Sequence, residues 1–284
     1  MTEVNELVAP PEAHDPGENT SCPLCPVPKP EDFTTYPGIQ NDSAVLEAVM
    51  EEPGSLVRKQ KKARPKDGNT QRQAESDARP KPEPIFRHKT HGAYSAEAHH
   101  LISGNQAMKG HEIEKWLVAG TLIKKDTGYS INNSDNGEWL PSIPEKYKGG
   151  SWSPLSKDEK LAIASAPMKS DKGQFHKGPH NVTDKEDLLG EHTSYPKEVK
   201  RCLSDLVEVI HGWVTSCPIC ENVDPDKGPF DPNWRIHDML DRLSQGIRMD
   251  LTGPPEGWYY FISRVAMEYH RDVCGGHDNK DMDD

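Results

Sequence analysis

Residues 98–102 read Ala98-His99-His100-Leu101-Ile102. On an extended strand two adjacent histidines project to opposite sides, so His99 and His100 can do different jobs. Further along, His176-Lys177-Gly178-Pro179-His180-Asn181 sets two imidazoles four residues apart. That spacing predicts a helix beginning near His176, on which both rings share one face and can grip one ion. Together the four histidines offer three ligands and one base.

Such a set matches the needs of phosphodiester hydrolysis near neutral pH. That reaction requires a base to activate water, a cation to stabilise charge on the scissile phosphate and leaving oxygen, and groups that position both. Between the two histidine motifs lies Ile131-Asn132-Asn133, followed by Asn136-Gly137-Glu138-Trp139-Leu140-Pro141. Each piece alone is weak, because an isolated histidine pair is more often solvated or packed than functional.

In this order and at this spacing, the three motifs resemble the AHH nucleases. These are a branch of the HNH/endonuclease VII superfamily found mainly as toxin domains of bacterial polymorphic toxin and type VI secretion systems. The resemblance covers about residues 93–185. It implies an α+β fold built on a ββα-metal (His-Me finger) nuclease core, with a strand carrying the histidine pair, a loop with the Asn-Gly-x-x-Leu-Pro element, and a helix presenting the last histidines. It implies His100 as general base, His99, His176 and His180 as ligands of a divalent cation (Mg, Mn, Ni or Zn), and Asn136 as a catalytic-site residue that orients the base or approaches the metal. It also implies DNA as substrate, a cognate immunity protein, and a secretion carrier such as a type VI spike protein.

Outward from this core the chain divides into an acidic segment (1–57), a basic proline-rich linker (58–90), the nuclease core (91–192) and a helical region (193–284). The overall charge of −12 looks wrong for a phosphate-binding enzyme. Its distribution matters more: residues 58–89 hold eleven bases against four acids, with Arg58, Lys59, Lys61, Lys62 and Arg64 clustered as candidate nucleic-acid contacts. A solvated linker is the plainer reading of the same cluster.

Periodicity predicts a helix from Ser43 to Met50 capped by Asp42 or Ser43, and another over about 110–119 with Ile113, Trp116 and Leu117 on one face. Ser156-Lys157-Asp158-Glu159 reads as a capping box. Beyond Pro196 the spacing of Val199, Cys202, Leu203, Leu206 and Ile210, then of Ile236, Leu240, Leu243 and Ile247, then of Phe261, Val265 and Met267, makes the C-terminal region mainly helical.

Six cysteines in a chain without a secretory signal argue for metal rather than disulfides. Cys22-Pro-Leu-Cys25 and Cys217-Pro-Ile-Cys220 each offer two thiolates, and a zinc knuckle shared by all four cysteines would close a very long loop. Separate sites completed by Cys202, Cys274 or His277, or redox pairs, are the alternatives. No apolar run approaches a membrane span, so no membrane insertion is expected. The expected route is synthesis in the cytoplasm without a signal peptide, then export by a dedicated system into a target cell's cytoplasm. The competing functional classes are an RNase, a phage or mobile-element DNA-processing endonuclease, and a non-enzymatic zinc-stabilised adaptor.

Overall fold

The computed structural model describes residues 41–52, 78–182, 194–216, 230 and 235–274. The four cysteines of the expected zinc knuckle and the basic cluster Arg58–Arg64 lie outside them. Mixed helices and a small sheet form two compact units, each assembled from separated stretches of chain.

The first unit draws on Met1–Arg79, His100–Gly137 and Val199–Gly246. Its first helix, α1 (Ser43–Glu51), starts where the sequence predicts. The Asp42 side chain accepts from the Ala44 and Val45 amides at 3.1 and 3.0 Å, satisfying two of the donors that a helix start leaves orphaned. Val45, Leu46, Val49 and Met50 form the buried face. Met50 and Leu46 lie so close to Gly137 that a Cβ there would meet Met50 Sδ at 2.5 Å and Leu46 Cδ1 at 2.9 Å.

The helix expected over 110–119 is instead a single 3-10 turn, Glu112–Trp116. Glycines with positive φ bound it, Gly110 at 72° and Gly120 at 85°, where the chain leaves the right-handed helical region. Carbonyls of the turn and of the residues just after it are engaged by other groups: the Thr121 hydroxyl donates to the Lys115 and Val118 carbonyls, and the Thr127 amide to Leu117. The apolar face is nonetheless as read, with Ile113, Trp116 and Leu117 fully buried. Trp116 stacks on Phe230, with ring centroids 5.4 Å apart.

The second unit draws on Pro80–His99, Glu138–Glu198 and Ile247–Asp284. Strand β1 (Phe86–His88) pairs antiparallel with β2 (Gly92–His100), in the register Phe86 to Tyr94. Strand β3 (Gly137–Pro144) lies on the other side of β2. Helix α2 (Lys157–Met168) has the capping box read from the sequence: the Glu159 amide donates to Ser156 Oγ while the Ser156 amide donates to Glu159. It packs against β1 and against α5 (Arg264–Cys274).

The core of this unit joins Tyr94, Ile143, Ile163, Met168, Phe175, Trp258, Phe261 and Met267. Two long helices, α3 (Tyr195–Ser216) and α4 (Arg235–Thr252), give residues to both units, and their expected apolar positions are buried. Phe261 precedes α5 rather than sitting on it.

Candidate metal centre and general base

His99, at the end of β2 in the second unit, meets His176 and His180, and their ring nitrogens form a group that could hold a metal ion. His99 Nδ1 lies 3.2 Å from His176 Nε2, which lies 3.3 Å from His180 Nε2. Nitrogens bound to one tetrahedral ion at about 2.0–2.1 Å stand roughly 3.3–3.4 Å apart. The donor set and its spacing therefore fit a cation.

The outward nitrogens sharpen that fit. His180 Nδ1 donates to the Ile262 carbonyl at 2.7 Å, and His176 Nδ1 faces the Glu97 carboxylate at 3.2 Å. The Ile262 carbonyl only accepts, so His180 Nδ1 carries the proton and its inward Nε2 presents a lone pair; the carboxylate beside His176 Nδ1 favours the same tautomer there. Two lone pairs 3.3 Å apart repel unless a positive charge stands between them. The remaining outward nitrogen, His99 Nε2, is 3.2 Å from the Tyr195 hydroxyl. Outer partners of this kind fix the tautomer and ring direction of a ligand.

Electrostatics keep the cluster ready to bind. Burial lowers the His180 pKa, helped by the neighbouring His176 and opposed by the Ile262 carbonyl, so the ring is neutral near pH 7. Burial would raise Glu97, but the nearby His176, Ser142 and Lys177 outweigh it and hold the carboxylate below its usual range. Burial pushes the Tyr195 hydroxyl far above its ordinary value, leaving a neutral phenol.

No helix begins at His176. Gly178 has φ of 107°, and Pro179 excludes the residue before it from the helical region. The segment is held by backbone instead: the His176 amide donates to the Pro141 carbonyl at 2.7 Å, and Ser142 Oγ to the His176 carbonyl at 3.0 Å. On the other side the Gln174 side chain donates to the Tyr260 carbonyl and accepts from the Ile262 amide. The two histidines thus meet across a Gly-Pro turn, with rings stacked 5.0 Å apart.

His100 belongs to the first unit, where it is buried. Its Nε2 is 2.7 Å from Asn132 Oδ1, and the same oxygen accepts from the Asp42 amide at 2.9 Å. A backbone amide can only donate, so it identifies the Asn132 atom as oxygen; His100 Nε2 is then the protonated nitrogen and Nδ1 the basic one. Asn136 uses all four side-chain hydrogen-bonding positions internally. Its Oδ1 accepts from the Ile102 amide (2.7 Å) and Ser244 Oγ (3.0 Å), and its Nδ2 donates to the Ile102 and Ile131 carbonyls (2.9 and 2.8 Å).

Three residues at these sites lie beyond the roles read from sequence. Asn132 stood in a quoted motif without a role, while Glu97 and Tyr195 carried no local signal, since an isolated carboxylate or phenol has no diagnostic spacing. His111, by contrast, caps its 3-10 turn through the Ile113 amide and meets Ser204 Oγ at 3.1 Å.

Residues 84–211, which hold His99, His100, His176 and His180, match a family model from the HNH/ENDO VII superfamily of nucleases. The family is AHH, a nuclease family with a conserved AHH, which Ala98-His99-His100 matches. No curated protein and no solved structure matches the chain.

Proposed function

We propose that this chain is a metal-dependent endonuclease that hydrolyses DNA phosphodiester bonds, with His99, His176 and His180 as cation ligands and His100 as general base. The observation that carries this reading is the convergence of three imidazole nitrogens at 3.2–3.3 Å inside a segment matched to a nuclease family. The three residues would hold a divalent ion, and an all-nitrogen set favours zinc or nickel over magnesium. When bound, the ion supplies positive charge for the scissile phosphate and the departing oxygen.

In this reading His100 Nδ1 takes the proton of the attacking water. The Nε2–H bond to Asn132 keeps that tautomer and supports the imidazolium that forms. Asn136 is a positioning residue, holding the 131–136 loop against Ile102.

The finer reading rests on the AHH resemblance: an antibacterial toxin effector, neutralised by a cognate immunity protein and delivered by a secretion carrier such as a type VI spike protein. Among the described residues no helix is long and apolar enough to cross a membrane. We further propose that Cys22, Cys25, Cys217 and Cys220 share a structural zinc and that the basic cluster from Arg58 to Arg64 steers the nucleic acid.

The test is incubation of purified protein with supercoiled plasmid, with and without added divalent metal, beside His100→Ala. Metal-dependent nicking that the variant loses is the expected result. Cleavage of RNA alone would move the substrate to RNA, and cleavage of neither under any metal would overturn the nuclease reading. Toxicity on cytoplasmic expression, relieved by a neighbouring gene, tests the effector role.

A further inference from the structure

The family match begins at residue 84, yet two residues far upstream bond to the surroundings of His100. The Asp42 amide donates to Asn132 Oδ1, the oxygen that also receives His100 Nε2–H. One residue earlier, the Asn41 side chain spans the stretch just past His100: its Oδ1 accepts from the Gly104 amide at 2.7 Å and its Nδ2 donates to Ser103 Oγ at 3.1 Å. Met50, at the other end of α1, accepts from the Arg79 amide at 2.7 Å, while Gly137 leaves room for the Leu46 and Met50 side chains.

From this we infer that Asn41 and the Asp42 amide, at the start of α1, form a positioning clamp that fixes the His100 tautomer, so that a segment outside the family-matched region is a working part of the nuclease site. The physical argument concerns an ambiguity that Asn132 cannot resolve alone. A carboxamide can present either its oxygen or its NH2 to an imidazole. Presenting NH2 would reverse the tautomer and place the proton on Nδ1, removing the base. The Asp42 amide breaks this symmetry, because only an oxygen can accept from it. The capping bonds of Asp42 and the two bonds of Asn41 hold that amide in place.

This proposal rests on His100 being the base, and the experiment separates the two. In the full chain, the peptide bond between Asn41 and Asp42 is replaced by an ester, which removes the Asp42 N–H with little change of shape. Asn41→Ala and Asn41→Asp are made beside it, the second keeping an acceptor for the Gly104 amide. Nitrogen-15 histidine spectra read the His100 tautomer without any need for cleavage. The wild type should show Nε2–H alone, and the ester and Asn41→Ala proteins a mixture, with Asn41→Asp restored toward the wild type.

Cleavage assays should show kcat, per folded molecule as read by circular dichroism, falling about tenfold in the ester and Asn41→Ala proteins with KM unchanged. A single Nε2–H tautomer in the ester protein would overturn the clamp. Wild-type cleavage by His100→Ala would instead overturn the base assignment, leaving the tautomer result to stand alone.

Discussion

The Nε2 atoms of His176 and His180 face each other at 3.3 Å, with His180 Nδ1 donating to the Ile262 carbonyl and His176 Nδ1 lying 3.2 Å from the Glu97 carboxylate. This pairing of inward lone pairs is hard to sustain without a cation, and it makes metal binding the first property to measure. His180→Ala removes one of the three nitrogens and an imidazole whose proton is already committed to Ile262. Metal affinity should fall by at least about 100-fold in calorimetric titration. Unaltered affinity would place the cation elsewhere.

Glu97 orients a ligand without touching the ion. Glu97→Gln keeps the shape but loses the charge opposite His176 Nδ1, so affinity should fall by about 10–100-fold while the melting temperature holds. A variant that binds as tightly as the wild type would make the 3.2 Å contact incidental.

Burial keeps His180 neutral, and so able to ligate, at lower pH than an ordinary imidazole. Its pKa is lowered by burial, and only the neutral ring ligates, so His180 should not limit binding until the pH falls well below the ordinary imidazole value of about 6.5. The sign for metal-free stability follows: the folded protein binds fewer protons here than the unfolded chain, so this group's contribution is full above about 6.5 and declines as pH falls toward the lowered value. Thermal melts with and without metal between about pH 5 and 7.5 check both points.

Asn136→Ala should destabilise more than it alters chemistry at fixed folded fraction. It strands a buried amide and two buried carbonyls, a loss of about 2–4 kcal/mol. Chemical denaturation reads it directly. A stable but inactive variant would give Asn136 the catalytic part that its motif implies.

Gly137→Ala drives a methyl into Met50 and Leu46, buried side chains of α1 that must change rotamer or shift to make room. A destabilisation of about 1–3 kcal/mol is expected. If α1 also supports His100, cleavage should fall with it at temperatures where the fold persists.

The local chemistry of this protein was legible in its sequence. Asp42 and Ser156 announced two helix starts, because a capping side chain acts within three residues of itself. The apolar spacing of α3 and α4 announced their buried faces, and His99, His100, His176 and His180 announced imidazole chemistry. Tertiary structure decided how those groups meet. His176 and His180 were expected on a helix face but converge across a Gly178-Pro179 turn, because glycine and proline conformations outweigh a four-residue spacing and the segment takes its hydrogen bonds from β3 and the 260–262 loop. Glu97, Tyr195 and Asp42 reach the histidines or their partners from distant positions in the chain, and such bonds leave no periodic trace. A ligand's identity is a property of a side chain; its orientation is set by whatever the folded chain places behind it.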